Sequence, residues 1–329
     1  LTLILKKLGA EVLGYSLEPN TNPSLFNICN LHNEIKNVYG DIRNSAFLEE
    51  IVKKFNPDII FHLAAQPLVR LSYRNPKLTY ETNVIGTLNL YEAARKCNNL
   101  KGIVSITTDK CYENREWVYG YRENDPMGGY DPYSSSKGCV EILSNSYRRS
   151  FFENEGILLA TCRAGNVIGG GDWAEDRLIP DFVRAVSKNE KIIIRNPLAT
   201  RPWQHVLEPL RGYLMIGEKL LEGKKEFAEG WNFGPNDSDI LSVKNVLDES
   251  ISVWKKGSYE LDKNENPHEA MSLKLDISKA RCILKWNPVY DVHKSIRETI
   301  NWYKNYYDGK ISMRQYTENQ IDYYLNNLK

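Results

Sequence analysis

Apolar residues along this chain fall into two alternating rhythms. The runs "EVLGYSL" (11–17), "NVYGD" around Val38, "DIIFHLAA" ending at Ala65, "GIVSITT" ending at Thr108 and "ILLATCRAG" from Ile157 are short and rich in β-branched residues. Polar or glycine positions bound them, which predicts strands. Residues 45–55, 78–97 and 132–152 instead space their apolar positions three and four apart, which predicts helices with one buried face. Strands alternating with helices build βαβ units, so the predicted fold class is α/β, a doubly wound parallel sheet. The opening stretch "LTLILKKLG" reads as the back half of a helix stopped at Gly9.

The texture changes after Asn166. Gly169, Gly170 and Gly171, then Pro180, Pro197, Pro202 and Pro209, punctuate shorter elements, and helical spacing returns at 243–255, 277–284 and 292–307. This predicts two domains, 1–166 and a smaller α/β domain over 167–329, with chain crossings between them. No internal repeat or low-complexity linker interrupts either.

Composition narrows the function class. The 329 residues are 42% hydrophobic and 26% charged, which suits a globular protein with a sizeable core. Lys plus Arg number 43 against 42 Asp plus Glu, so no global positive field draws nucleic acid or an acidic membrane, and an anionic ligand must be held by local arginines. The six cysteines contain no CxxC pair and the five histidines no HExxH spacing, so no metal is expected and the thiols read as reduced, as in the cytoplasm. There is no apolar run of about 18 residues that would span a membrane.

Two stretches carry candidate chemistry. In "SITTDKCYENREW" (105–117), Thr107, Thr108, Asp109 and Lys110 stand where a predicted buried strand ends. Open parallel sheets bind ligands outside the carboxyl ends of their strands. In "GGYDPYSSSKGCVEIL" (128–143), Tyr133 and Lys137 are four apart on a helix that begins near Pro132, so they share one face. A lysine ammonium beside a phenol favours the phenolate and lowers the tyrosine pKa, which suits proton exchange with an alcohol.

With these stretches on the page, a resemblance is plain. "HLAAQPLVRLSY", "TNVIGT", "TTDKCYENREW", "GYRENDPMGGYDPYSSSKG", "RAGNVIGGGDWAEDRLIPD", "RPWQHVLEPLRGYL", "NPHEAMSLKLD" and "KWNPV" resemble the extended short-chain dehydrogenase/reductases. Within them the chain is similar to the sugar-nucleotide 4,6-dehydratases, most closely the branch acting on CDP-glucose. The resemblance implies a Rossmann-type first domain, bound NAD, a nucleotide-sugar substrate, a role in deoxysugar and lipopolysaccharide O-antigen synthesis, and a homo-oligomer, dimer or tetramer, paired through the helices at 78–97 and 132–152.

It also implies site residues. Tyr133 would be the base for the C4 hydroxyl, Lys137 its partner and a clamp on the nicotinamide ribose, Thr108 a hydrogen-bond partner of O4, and Asp109 the acid for the departing C6 hydroxyl. Lys110 stands where many relatives carry glutamate, and either takes the C5 proton as a neutral amine or stabilises the enolate as an ammonium. Cofactor contacts would come from Glu18, Asp41, Ile42, Leu63, Ala64, Ala65, Gln66, Asn83, Thr107 and Arg163, with Glu18 favouring NAD over NADP. Substrate contacts would come from Asn166, Arg177, Leu178, Arg195, Arg201, His205 and His268. His62, inside "FHLAA", reads as a core residue. Two other readings stay open: an epimerase or decarboxylase using Tyr133 and Lys137 without an Asp109 acid, and a truncated, non-catalytic member.

Family members begin with a strand and a GxxGxxG turn that faces the cofactor pyrophosphate. This sequence opens on Leu1 and contains neither, so it reads as truncated. In the strand order 3-2-1-4-5-6 that strand is central. The expected consequence is a sheet in two pieces, with unpaired backbone groups at about 1–3 kcal/mol each where buried.

Overall fold

A computed structural model describes residues 1–262 and 270–328. Every predicted strand of the first domain forms. β1 (Leu13–Ser16) and β2 (Lys36–Tyr39) make one parallel ladder, and β3 (Ile59–His62), β4 (Gly102–Ile106) and β5 (Leu158–Ala164) make another. The two ladders share no hydrogen bond.

β5 is buried at all seven positions, as a strand covered on both faces must be. Its side chains alternate. Ile103 and Leu159 join Leu48, Leu90, Tyr91 and Phe152 under the helices of one face, while Val104 and Ala160 join Leu210, Tyr213, Ile216 and Trp231 on the other. His62 is buried on β3, its Nε2 2.8 Å from Thr87 Oγ1, and burial pushes it down to about 3, so it is a neutral core residue.

The covering helices start and stop on local chemistry. Asn44 Oδ1 accepts from Phe47 N ahead of Ser45–Phe55, and Asn56 ends that helix in the left-handed region, φ 51. Residues 76–94 run as one helical rod with a wide turn at Glu81–Ile85. The third helix, Pro132–Tyr147, begins on Asp131, which accepts from Ser134 N, with Pro132 at the first helical position where no N–H is needed.

Beyond Ala164 the chain builds β6 (Asn166–Ile168), β7 (Ile192–Ile194), β8 (Thr200–Arg201) and β9 (Trp203–His205), with β6 and β9 paired in parallel. It then returns. The helix Leu207–Leu221 packs on the second face of the sheet, and β10 (Gly230–Phe233) adds to β5 as a fourth strand. A Cβ on Gly212 would overlap the Phe233 ring, so glycine lets that helix lie this close. β11 (Leu241–Ser242) and β12 (Tyr259–Leu261) go back to pair with β8 and β7. The second body has its own core of Trp173, Phe182, Trp203, Val246, Ile296 and Trp302.

The apolar pattern does not predict the helices Leu178–Lys188 and Met313–Asn326. Pro180 reads as a breaker, yet in a first turn its missing N–H has no partner to lose. Met313–Asn326 buries only Met313, Ile321 and Tyr324, too sparse a stripe to show a period.

Candidate active site

The carboxyl ends of β4 and β6 open into a cleft of about 810 Å³, walled on the far side by β7 and the start of Leu178–Lys188. β4 ends in a short turn, Asp109–Cys111, which Thr108 caps by accepting from Lys110 N at 3.4 Å. The cap turns the chain out of the sheet and leaves Thr108, Asp109 and Lys110 on the cleft wall. Asp109 is only 1% exposed. Its Oδ1 accepts from the Thr108 hydroxyl at 3.0 Å and lies 3.8 Å from Lys110 Nζ, while its buried Oδ2 has no hydrogen-bond partner. A buried carboxylate oxygen without a donor is costly, and a cleft ligand offering an O–H would satisfy it.

Tyr133 reaches this wall from the helix Pro132–Tyr147, with Lys137 buried one turn further along the same helix. The helix comes close because residue 138 is glycine: a Cβ there would lie 2.5 Å from Gly128 O. Burial pushes the Tyr133 phenol up to about 12; a hydrogen bond with Thr108 pulls it down, and the Asp109 carboxylate adds to the rise. This corrects the sequence expectation of a lysine-lowered tyrosine. The Lys137 ammonium donates to Ile106 O at 3.0 Å, and the desolvation of Tyr133 dominates.

Burial also pushes Lys137 down from 10.5 to about 8, against the attraction of Glu141 and Cys111. The folded chain therefore holds this proton less tightly than the unfolded chain. The charged lysine weighs on stability below pH 8, and the burden lifts as pH rises from about 8 towards 10.5. Lys137→Met, similar in length but uncharged, is expected to raise the unfolding free energy at pH 7 by about 1–3 kcal/mol. Denaturant unfolding checks it; a less stable variant would mean that the Ile106 and Glu141 contacts outweigh burial.

Beneath the wall lies a closed polar network that takes up the side chains of two residues expected to touch the cofactor, Thr107 and Arg163. Glu141 accepts from Thr107 Oγ1 at 2.5 Å, Thr161 Oγ1 at 2.8 Å, and Arg163 Nε and Nη2 at 2.8 Å each. Arg163 Nη1 donates to Tyr112 and to Glu123 O, so the guanidinium is spent inside the protein. Thr107 turns its hydroxyl down into this network. Asn83, also buried, exchanges hydrogen bonds with the backbone of Gln66 and donates to Ser136, tying the segment after β3 to the helix Pro132–Tyr147.

The other candidates divide by position. Asn166, Arg177, Leu178, Arg195 and Arg201 line the cleft. Asn166 Oδ1 is buried there without a donor. His205 is a correction: it is buried away from the cleft, its Nδ1 accepting from Leu207 N, and burial pushes it down to about 3. His268 lies outside the described residues. Glu18 is exposed just past β1. Asp41 clamps Arg43 through both carboxylate oxygens. Ile42 is a second correction, its side chain buried against Gly86 and its carbonyl taken by Asn89. Leu63 is 46% exposed where β3 ends. Ala64 and Ala65 are half-buried beside it. The Gln66 side chain holds both backbone groups of Leu68 and the Thr79 hydroxyl. Sequence reading missed Arg70, Asp172 and Asp176, all on the cleft; for Arg70 and Asp176 no local motif marks an ion pair made across 106 residues.

For NAD, the ribose and nicotinamide end fits what is present. Lys137 Nζ spends one hydrogen bond on Ile106 O, leaving N–H groups for ribose hydroxyls, and Leu63 and Ala64 offer apolar surface beside it. The described residues contain no glycine-rich turn for the pyrophosphate end.

Comparison with known proteins decides the family. The profile of the GDP-mannose 4,6 dehydratase family matches residues 2–299. The chain belongs to this family. Over 316 residues it is 50% identical to the CDP-glucose 4,6-dehydratase of Salmonella typhimurium LT2, covering 94% of this chain and 88% of that protein. It is 28% identical over 285 residues to the dTDP-D-glucose 4,6-dehydratase of Homo sapiens, covering 84% and 77%. Among solved structures, a double mutant of the dTDP-glucose 4,6-dehydratase DesIV of Streptomyces venezuelae with NAD and DAU bound superposes with a TM-score of 0.79 at 20% identity over 92% of this chain and 91% of that one. The UDP-glucose 4-epimerase of Thermotoga maritima with UDP-glucose gives 0.78 at 22% identity over 93% and 94%. At such identities these structures show the shared fold.

Proposed function

We propose that this chain is an NAD-dependent CDP-glucose 4,6-dehydratase, a hydro-lyase that converts CDP-glucose to CDP-4-keto-6-deoxyglucose. The observation that carries the reading is the grouping of Thr108, Asp109, Lys110 and Tyr133 on one wall of the cleft, in a chain half identical to a CDP-glucose 4,6-dehydratase. An epimerase needs the tyrosine but has no use for a second, buried acid.

Removing water across C5 and C6 of a hexose first requires an acidic C5 proton, which a ketone at C4 provides. Bound NAD supplies the hydride acceptor and donor that makes C4 a ketone and later reduces C6. Tyr133 takes the C4 hydroxyl proton, with Thr108 holding the same oxygen. Lys110, on the same wall, acts on C5, either taking its proton as a neutral amine or stabilising the enolate as an ammonium while water takes the proton. Asp109, protonated at the time of reaction, gives its proton to the C6 hydroxyl as it leaves as water; its buried, unpartnered Oδ2 is the oxygen available to carry that proton.

The enzyme works in the cytoplasm, in deoxysugar synthesis for O-antigen. No helix among the described residues is long and apolar enough to cross a membrane. It assembles as a dimer or tetramer, and Ile85 and Ile142 stand exposed on the helices expected to pair.

The test is to incubate the purified protein with NAD and, separately, CDP-glucose, dTDP-glucose, UDP-glucose and GDP-mannose, and to follow loss of the mass of one water together with 4-keto sugar absorbance in alkali. Dehydration of CDP-glucose well above the others is expected. A C4 epimer of unchanged mass would replace this reading with the epimerase one, and equal rates on all four would remove the cytidine assignment.

A further inference from the structure

Arg70 lies in the helix Val69–Arg74, just beyond β3, while Asp176 and Arg195 lie on the opposite wall, ahead of Leu178–Lys188 and just after β7. Arg70 Nη1 donates to Asp176 Oδ1 at 2.9 Å. Arg195 Nη1 is 3.7 Å from the same oxygen, and Arg74 Nη2 is 3.7 Å from Oδ2. Three guanidinium charges therefore face one carboxylate, an excess of two. The neighbouring pair of Arg177 and Asp172, at 2.8 Å, is already neutral and adds no net charge.

Two further features mark the arrangement as unfinished. At 3.7 Å Arg195 Nη1 makes no hydrogen bond to Asp176, and this buried nitrogen has no acceptor at all. Asp176 itself is held in the left-handed region, φ 59, a conformation that is uncommon outside glycine. An excess of positive charge, a buried donor without an acceptor and a strained carboxylate all call for a ligand with several anionic oxygens.

We propose that Arg70 and Arg195 form a diphosphate-binding pair across the cleft, and that Asp176 is their counter-ion, displaced by the diphosphate of the sugar nucleotide. The proposal rests on the reading of the cleft as a sugar-nucleotide site. A diphosphate carries more oxygens and more charge than one carboxylate, so it can satisfy Arg195 as well as both arms of Arg70. Before it arrives, Asp176 keeps Arg70 extended over the cleft instead of free in solvent, which lowers the ordering needed on binding. A neutral sugar or nucleoside has nothing with which to displace it.

The sign of one substitution separates this from a simple brace between the two walls. Calorimetric titration with CDP is expected to show Asp176→Asn binding about three- to tenfold tighter than the parent protein, and Arg70→Gln about tenfold or more weaker, the scale of one partly exposed charge contact. Cytidine, which lacks the phosphates, should bind all three alike, and inorganic pyrophosphate should compete with CDP in the parent protein and poorly in Arg70→Gln. The double variant Arg70→Gln with Asp176→Asn keeps the overall charge and guards against misfolding of a single one. It should still bind CDP more weakly than the parent, whereas a brace predicts no difference. Weaker CDP binding by Asp176→Asn, or unchanged binding by Arg70→Gln, would overturn the proposal. The same pattern with UDP in place of CDP would uphold the Arg70 assignment while failing the cytidine assignment above.

Discussion

Tyr133→Phe is expected to keep the fold and lower the dehydration of CDP-glucose by about two to four orders of magnitude, the loss typical of a missing general base. The phenol is the group in reach of Thr108 on the cleft wall, and phenylalanine keeps its buried ring while removing the titrating oxygen. The pH dependence sharpens the claim. Tyr133, pushed up to about 12, must lose its proton, so activity should rise with pH; Lys137, pushed down to about 8, must keep its proton to favour the phenolate. The product of the two fractions climbs tenfold per pH unit below about 8 and is flat above it. Native turnover in the Phe variant would remove Tyr133 from the mechanism, and a parent rate that keeps climbing past pH 9 would remove Lys137 from its proton balance.

Lys110→Met is expected to stall elimination, with exchange of the C5 hydrogen with solvent deuterium falling by about a hundredfold or more, the scale set by loss of a transition-state charge partner. Lys110 Nζ stands 3.8 Å from Asp109, so the lysine is paired with the proposed acid as well as facing the cleft. Lys110→Arg separates its two roles. Arginine keeps the positive charge but cannot act as a base, so substantial exchange in that variant supports enolate stabilisation and its absence supports proton abstraction. If Lys110→Met instead raises KM with exchange per bound substrate unchanged, the lysine serves only as a partner for Asp109.

Local signals in the sequence were enough for the first domain. The Asn44 and Asp131 caps and the turn after Ile106 are written in neighbouring residues, because the hydrogen bonds that make them close within about four positions, while the strands show as short β-branched runs whose partners lie far along the chain. The grouping of Tyr133 with Lys137 on one helix face follows from spacing alone. So does the placement of Thr108, Asp109 and Lys110 at a strand end, and these are the residues on which the proposed chemistry rests.

What the tertiary structure alone decided is where electrostatics and burial act over long separations. Desolvation by burial outweighs the hydrogen bond with Thr108 and drives Tyr133 up where spacing predicts it down. Arg163 and Thr107 have the right types to meet a cofactor, but Glu141, brought from another element, takes their donors first. His205 sits in a stretch that reads as a ligand set, and packing of β9 against the helix Leu207–Leu221 turns its ring into the core. Arg70 and Asp176 show the converse. Nothing near either residue in the chain marks it, and their pairing exists only because the fold brings opposite walls of the cleft together from each half of the sequence. A chain's local chemistry sets which groups can form an element; which of them remain free to meet a ligand depends on what the finished fold has already satisfied.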